Sequence, residues 1–325
     1  MKEPLLKIEN LKTHFYTYKG VVRAVDGINL EIKEDEILGL VGESGCGKTV
    51  TALSILKLLS SNARIVEGKI IFEGLDIVSL KEEGLRNIRG SKIAMIFQEP
   101  MSSLNPVYTI GNQLVETVLL HNREYSKKQA REKAIELLKL VKIPLPEKVI
   151  DQYPHELSGG MRQRCMIAMA LVCKPKLLIA DEPTTALDVT TESQILELIK
   201  ELKSELHHSV LLITHDLGIV AELCDRVAVM YAGKIVECSD VKTIFTAPKH
   251  PYTIGLLNAI PKFTEKRRLE AIEGMPPDLI SLPKGCRFAP RCKFATSECK
   301  EREPELRSLG KGHEIACFKI IENVS

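Results

Sequence analysis

Short runs of consecutive apolar residues alternate along this chain with segments whose apolar positions recur every three or four residues. The run "EILGLVG" (36–42) predicts a buried strand, and "KTVTALSILKLL" (48–59) predicts a helix directly after it. "KIIFEG" and "KIAMIFQ" predict further strands. In "KKQAREKAIELLKLV" (127–141) apolar residues fall at helical spacing with charges between them, and Ser126 is placed to cap the helix. "KLLIAD" (176–181) is a continuous apolar run that ends on a carboxylate, as a central parallel strand would. "ESQILELIKELKSEL" predicts an amphipathic helix and "SVLLITHD" another buried strand. Strands alternating with helices predict an α/β fold with a mainly parallel sheet. Residues 100–172 interrupt the alternation with mostly helical patterns and predict a helical subdomain inserted into the core. Near residue 260 the texture changes again. "KFTEKRRLEAIEGMPPDLISLPKGC" mixes charge, Gly and Pro, as a boundary or long connecting segment does.

Composition narrows the classes of function. The 325 residues suffice for about two domains. Lys plus Arg is 45 against 43 for Asp plus Glu, so the net charge of +2 gives no whole-chain argument for nucleic acid or a membrane surface. No run of 18 apolar residues predicts a transmembrane helix, and "MKEPLLKIENLKTHF" lacks the apolar stretch of a signal peptide. The chain is expected to be made and kept in the cytosol, with any membrane role exercised through a partner. Five of the nine cysteines are scattered, at Cys46, Cys165, Cys173, Cys224 and Cys238, and read as small buried residues. The other four fall in the last 40 residues.

Residues 42–49, "GESGCGKT", fit G-x-x-x-x-G-K-[ST], the phosphate-binding P-loop. Gly42 and Gly47 let the backbone turn tightly, so that amide N–H groups point inward at phosphate oxygens. Lys48 supplies positive charge near the β- and γ-phosphates, and Thr49 a hydroxyl for Mg²⁺. The helix that begins here turns its positive dipole end toward the same anion. Glu43, Ser44, Gly45 and Cys46, between the two glycines, and Val50 after Thr49 complete the expected nucleotide-binding set. A P-loop needs an acid for its metal. Asp181, at the end of "LLIAD", is expected to hold Mg²⁺, and Glu182 to orient or deprotonate the attacking water.

With "LSGGMRQR" (157–164) the chain resembles the ATP-binding cassette (ABC) ATPases, whose signature motif lies between the P-loop and the metal-binding Asp. Gln98 in "MIFQEP" resembles the family's Q-loop, "ALD" (186–188) its D-loop and His215 in "LLITHD" its switch histidine. The resemblance implies a RecA-like core with an antiparallel β-subdomain and an inserted helical subdomain. It implies Glu182, His215 and Gln98 as catalytic residues, with Gln98 touching the metal or the attacking water. Ser158, Gly159 and Gly160 would donate to the phosphate of an ATP bound on a second ATPase subunit, homologous or identical. The common signature continues with Gln where this chain has Met161, which removes any hydrogen bond that the Gln would have made. An aromatic residue upstream of the P-loop would stack on adenine. "HFYTYKG" offers Phe15, Tyr16 and Tyr18, and the register counted from "IENL" favours Phe15.

"EPMSSLNPVYTIGNQLVE", "LSGGMRQRCMIAMAL" and "PKHPYTIGLLNAIP" are similar to the ATPase subunits of bacterial dipeptide and oligopeptide importers. Nickel importers share much of this wording and are the alternative, followed by a soluble ABC ATPase outside transport. The importer resemblance implies residues 1–262 as the nucleotide-binding domain and 263–325 as a C-terminal extension. It implies two transmembrane permease subunits, an extracytoplasmic substrate-binding protein, no nucleic acid, and a peripheral location on the cytoplasmic face of a bacterial membrane.

The extension holds Cys286, Cys292, Cys299 and Cys317, separated by five, six and seventeen residues. A disulfide framework is out of place in a cytosolic chain. C-x-x-C pairs are absent, so a Cys₄ zinc site, or one using His313, is not signalled by spacing. The spacing matches neither common ferredoxin pattern. The residues leave zinc, an iron–sulfur cluster and unrelated buried thiols open. The family resemblance implies a 4Fe–4S cluster, since some dipeptide-importer ATPases carry one here. Lys284, Arg287, Arg291 and Lys293 are expected to favour thiolates.

Overall fold

The structure, a computed structural model, describes residues 3–98, 103–185, 187–260 and 272–321. The chain divides into two compact units, Met1–Ser79 with Ile213–Ser325, and Leu80–Leu212.

The first unit contains two sheets. One is antiparallel, in the order Gly20–Ile32, Leu6–Thr17, Ala63–Phe72, Leu75–Asp76. Leu6, Ile8, Ile28, Ile32, Ile70 and Phe72 are all buried in it. The pairing register of Leu6–Thr17 with Gly20–Ile32 first shifts between Ile8 and Leu11, where Asn10 takes a positive φ of 45°. This bulge turns Leu11 inward and leaves Thr13 buried, its hydroxyl 2.8 Å from that of Ser54. In the other sheet Ile37–Val41 runs parallel to Arg226–Tyr231, Leu38 opposite Arg226 and Val41 opposite Val229. All five residues of Ile37–Val41 are buried, which is why the strand reads as an unbroken apolar run. Lys234–Asp240, His313–Ile315 and Arg307–Gly310 follow in antiparallel order. Arg307–Gly310 and His313–Ile315 therefore extend the sheet that carries the P-loop strand.

The helix after the P-loop is Lys48–Ile55, shorter than the pattern to 59 predicts. Lys57 adopts a left-handed φ of 48° and the N–H of Leu58 returns to the carbonyl of Leu53, a C-terminal cap that stops the helix inside a helix-favouring run. Behind Arg226–Tyr231 lies an aromatic cluster. The rings of Tyr231 and Tyr252 stand 4.6 Å apart and those of Tyr231 and Phe288 5.2 Å, edge to face.

The second unit holds the parallel pair Ile93–Ile96 and Leu177–Asp181, with Ile93 opposite Leu177. Between these strands in sequence come Ile110–His121, Lys127–Leu140, Pro146–Val149 and Gly159–Ala170; Val189–Leu206 follows the second strand. Leu114, Val118, Ala130, Ala134, Leu137 and Leu138 bury the facing stripes of the first two helices. Ser126 caps Lys127–Leu140 as the sequence predicts, in a reciprocal capping box with Gln129.

Candidate nucleotide site

The P-loop lies entirely in the first unit and is built around what a side chain would strike. Gly42 has φ +155°, and a Cβ there would stand 2.1 Å from the Met230 carbonyl oxygen. Gly47 has φ +113°, and its Cβ would stand 2.3 Å from the carbonyl of Ala24. Between them the chain reverses, and Lys48–Ile55 starts on Gly47 with no side-chain cap, leaving its first N–H groups to the loop. Lys48 is 5% exposed. Its ammonium folds back onto the loop and donates to the carbonyls of Gly42 (2.8 Å) and Glu43 (3.1 Å). Cys46 is buried, and desolvation pushes its thiol above the ordinary range, so it packs as a neutral group. Ser44, Gly45 and Thr49 are exposed at the mouth and Val50 is half-buried.

Glu43 faces elsewhere. Its N–H donates to the Tyr252 hydroxyl (2.9 Å), and its carboxylate takes both arms of the Arg291 guanidinium (2.7 and 3.0 Å). Nothing in the P-loop motif signals these partners, which come more than 200 residues later in the chain. Phe15 is half-buried on Leu6–Thr17, opposite Val22 and Ala63. Tyr16 is exposed beneath the guanidinium of Arg64, and Tyr18 is almost fully exposed. His215 follows the strand Ser209–Thr214 and is exposed, next to Asp216, which caps Leu217–Leu223.

The second unit gathers four of the predicted motifs. Asp181, 1% exposed, ends the strand Leu177–Asp181. Glu182 follows with φ +44°, a left-handed conformation that costs a non-glycine residue energy and needs surroundings to hold it. Its Oε2 accepts from the Gln98 amide (3.0 Å) and from the Thr185 hydroxyl (3.0 Å). Ser158 caps Gly159–Ala170, its hydroxyl accepting from the N–H of Met161 (3.3 Å). A Cβ on Gly160 would stand 2.5 Å from Thr191 Cγ2. Asp188, the last residue of "ALD", caps Val189–Leu206 through the N–H and hydroxyl of Thr191. Ala186 of that motif and residues 99–102 after Gln98 lie outside the described residues, as do 261–271 of the predicted connecting segment.

Cys286, Cys292, Cys299 and Cys317 all line one small apolar cavity, with Phe288, Phe294 and Phe318 among its walls. His313, left open as a zinc ligand, has its Nε2 2.8 Å from Glu237 Oε1. Among the described residues no three His, Cys, Asp or Glu side chains are placed to hold a metal ion. One expectation is corrected here: Arg287 and Arg291 do not poise thiolates. Arg287 pairs with Asp26 and Glu303, and Arg291 with Glu43. Burial instead pushes the thiols of Cys286, Cys292 and Cys317 up, the last to about 11.

Comparison with known proteins places this geometry. The ABC transporter family matches residues 25–185, and the family "Oligopeptide/dipeptide transporter, C-terminal region" matches 236–299. A "Probable peptide ABC transporter ATP-binding protein" of Sinorhizobium fredii is 53% identical over 99% of this chain and 96% of its own length. The oligopeptide transport ATP-binding protein AppD of Bacillus subtilis is 51% identical over 97% of this chain and 96% of its own. A solved dimeric ATP-binding cassette in a post-hydrolysis state, bound to ADP and Pi, superposes with a TM-score of 0.65 at 28% identity, covering 73% of this chain and 98% of that one.

The fold is that of an ABC ATPase. The chain belongs to the ATP-binding proteins of the oligopeptide/dipeptide ABC transporters, and it is an ATPase. Neither of the two named relatives mentions nickel. Among the described residues no helix is long and apolar enough to cross a membrane.

Gly47→Ala forces a Cβ onto the Ala24 carbonyl from a left-handed backbone, a strain of about 1–3 kcal/mol at this position. The loop is expected to shift and nucleotide affinity to fall at least about tenfold, read by titration with a fluorescent ATP analogue. Wild-type affinity in the folded variant would contradict the loop geometry.

Proposed function

We propose that the chain powers uptake of dipeptides or oligopeptides as the ATP-hydrolysing subunit of a bacterial membrane importer. The names of its relatives and the transporter family matched over 236–299 support this reading. Its partners are a second ATPase subunit, homologous or identical, two transmembrane permeases and an extracytoplasmic substrate-binding protein. It works at the cytoplasmic face of the membrane. Residues 1–262 form the nucleotide-binding domain, with its helical subdomain at about 100–172, and 263–325 the extension.

The observation that carries the catalytic reading is the hydrogen bond from Gln98 to Glu182, which joins two motifs 84 residues apart. Glu182 is the base or water-orienting group. Two donors on Oε2 fix the direction of its carboxylate, as a group that orients water needs. Asp181 and Thr49 offer the hard oxygen donors that suit Mg²⁺, with Gln98 beside them in role. Magnesium, when bound, neutralises charge on the β- and γ-phosphates. Lys48 and the P-loop amides bind those phosphates, and His215 supports the charge that develops on the γ-phosphate. Phe15 stacks on the adenine. Ser158, Gly159 and Gly160, at the start of a helix, donate to the ATP held by the other cassette. ATP then bridges two cassettes, and hydrolysis removes the bridge.

Glu182→Gln is expected to keep ATP binding and lose roughly 10²–10⁴-fold in turnover. A steady-state ATPase assay decides it, and activity within twofold of wild type would place the base elsewhere. In the same variant Mg-ATP should double the particle mass in light scattering, with the natural partner cassette added if identical copies do not pair. Full wild-type activity from a monomer at high dilution would refute the shared site.

We also infer that the four cysteines hold a 4Fe–4S cluster that folds the extension. What supports this is that all four line one small cavity, as ligation of one cluster by four thiolates requires. The raised thiols mean that binding must release protons, as thiolate ligation does. Anaerobically purified protein should be brown, absorb broadly near about 400 nm, and lose its iron and gain protease sensitivity on Cys292→Ser. A colourless protein with one zinc per chain would overturn this.

A further inference from the structure

We propose that Arg291, carried by the C-terminal extension, is a positioning residue for the P-loop: by holding Glu43 it sets the affinity of the loop for nucleotide phosphate. The inference rests on the reading of residues 42–49 as the phosphate cradle.

Residue 43 is gripped at three points. Its N–H donates to the Tyr252 hydroxyl, its carboxylate receives the two-armed Arg291 guanidinium, and its carbonyl accepts from the Lys48 ammonium. The third contact matters most. Lys48 has two carbonyl acceptors in the loop, and one of them belongs to the residue that Arg291 anchors. A shift of Glu43 therefore moves the resting place of the phosphate-binding lysine as well as the turn itself.

Arg291 is built to hold this position. Its side chain is 5% exposed, while that of Glu43 is 28% exposed. Beyond the two bonds to Glu43, the guanidinium donates to the carbonyls of Glu273 (3.0 Å) and Ile272 (3.3 Å) and to the Tyr231 hydroxyl (3.3 Å). Five bonds use the full donor set of a guanidinium in its rigid planar fork. A cation this well enclosed cannot turn to water if Glu43 leaves, so the pair resists opening.

The same short segment makes a second, apolar contact. Phe288 is 4% exposed and packs against Tyr252, whose hydroxyl holds the Glu43 N–H; the ring centroids are 5.4 Å apart. Arg287 donates to the Ala232 carbonyl (2.5 Å), and the next residue, Gly233, donates its N–H to the Cys46 carbonyl inside the loop (2.8 Å). Residues 287, 288 and 291 thus brace the P-loop at Glu43 and, by way of Gly233, at Cys46, from the stretch that also contains Cys286 and Cys292. An extension that served only as a passive appendage would have no need to deliver a saturated arginine to the nucleotide loop.

The test is nucleotide affinity in the full-length chain, measured with a fluorescent ATP analogue and checked by the KM for ATP. Arg291→Gln and Glu43→Gln should each raise Kd roughly tenfold, within the coupling range for residues in one ion-pair network. For Arg291→Gln the loss should fall on KM rather than kcat. The double variant should be no weaker than either single one, and Arg291→Lys, which keeps the charge without the fork, should lie between. Wild-type Kd and KM in a folded Arg291→Gln protein, or single effects that multiply in the double variant, would overturn the proposal. If Arg291→Gln does not fold, wild-type affinity in Glu43→Gln overturns it equally. Lys48→Ala separates the two readings. If it keeps wild-type affinity, the phosphate cradle lies elsewhere; if it loses affinity while Arg291→Gln does not, the inference about the arginine alone fails.

Discussion

A lysine ammonium with almost no access to water must find acceptors, and around Lys48 the loop supplies them from its own backbone. That requirement shapes the first unit. The carbonyls of Gly42 and Glu43 can turn toward Lys48 because Gly42 and Gly47 pass against the carbonyls of Met230 and Ala24 at distances that no side chain permits. Those carbonyls sit on neighbouring strands of the two sheets, so the loop is seated on the sheets and not simply attached to the strand before it. The charge is thus held on a rigid support, ready for an anion, and the support is paid for by apolar burial in Ile37–Val41 and Arg226–Tyr231.

The C-terminal residues are part of that support. His313–Ile315 pairs with Lys234–Asp240 and so continues the sheet that positions the P-loop. Glu237, fully buried on this strand, accepts from the N–H groups of Lys249 and His250 and faces His313. One buried carboxylate thereby ties the sheet, the start of Pro251–Asn258 and His313 together. His250 has its basicity pushed down to about 3 by burial, which leaves it neutral and able to accept from the N–H of Tyr252. Tyr252 in turn reaches the P-loop.

In the second unit the same economy appears as strain. Glu182 stands in a left-handed conformation directly after a buried strand, and its carboxylate is held by Gln98 and Thr185. Strain of this kind survives where neighbours overdetermine the position. Leu187 and Thr191, on either side of the cap Asp188, pack against Gly159 and Gly160. The segment after Glu182 is thereby in contact with the signature helix, two motifs that the sequence presents as separate.

The alternation of apolar runs and helical patterns, the P-loop glycines, the place of Asp181 at a strand end, and the Ser126 cap were all legible in the sequence, because each depends on a neighbour within a few residues. Strand burial, tight turns and helix caps are local chemistry. The stop of the first helix at Ile55 was not legible, because a backbone cap at Lys57 overrides a run of residues that all favour helix. Nor could spacing show that Arg287 and Arg291 turn away from the cysteines. Their charges looked like neighbours of sulfur because they are adjacent in sequence, and the fold gave them to Asp26, Glu303 and Glu43 instead. A buried charge takes the partner that tertiary packing brings within reach, and sequence separation carries no information about that. Most strand burial and helix starts were therefore set by residue type and order, while the pairing of distant charges, and with it the link between Arg291 and the nucleotide loop, was decided by the fold alone.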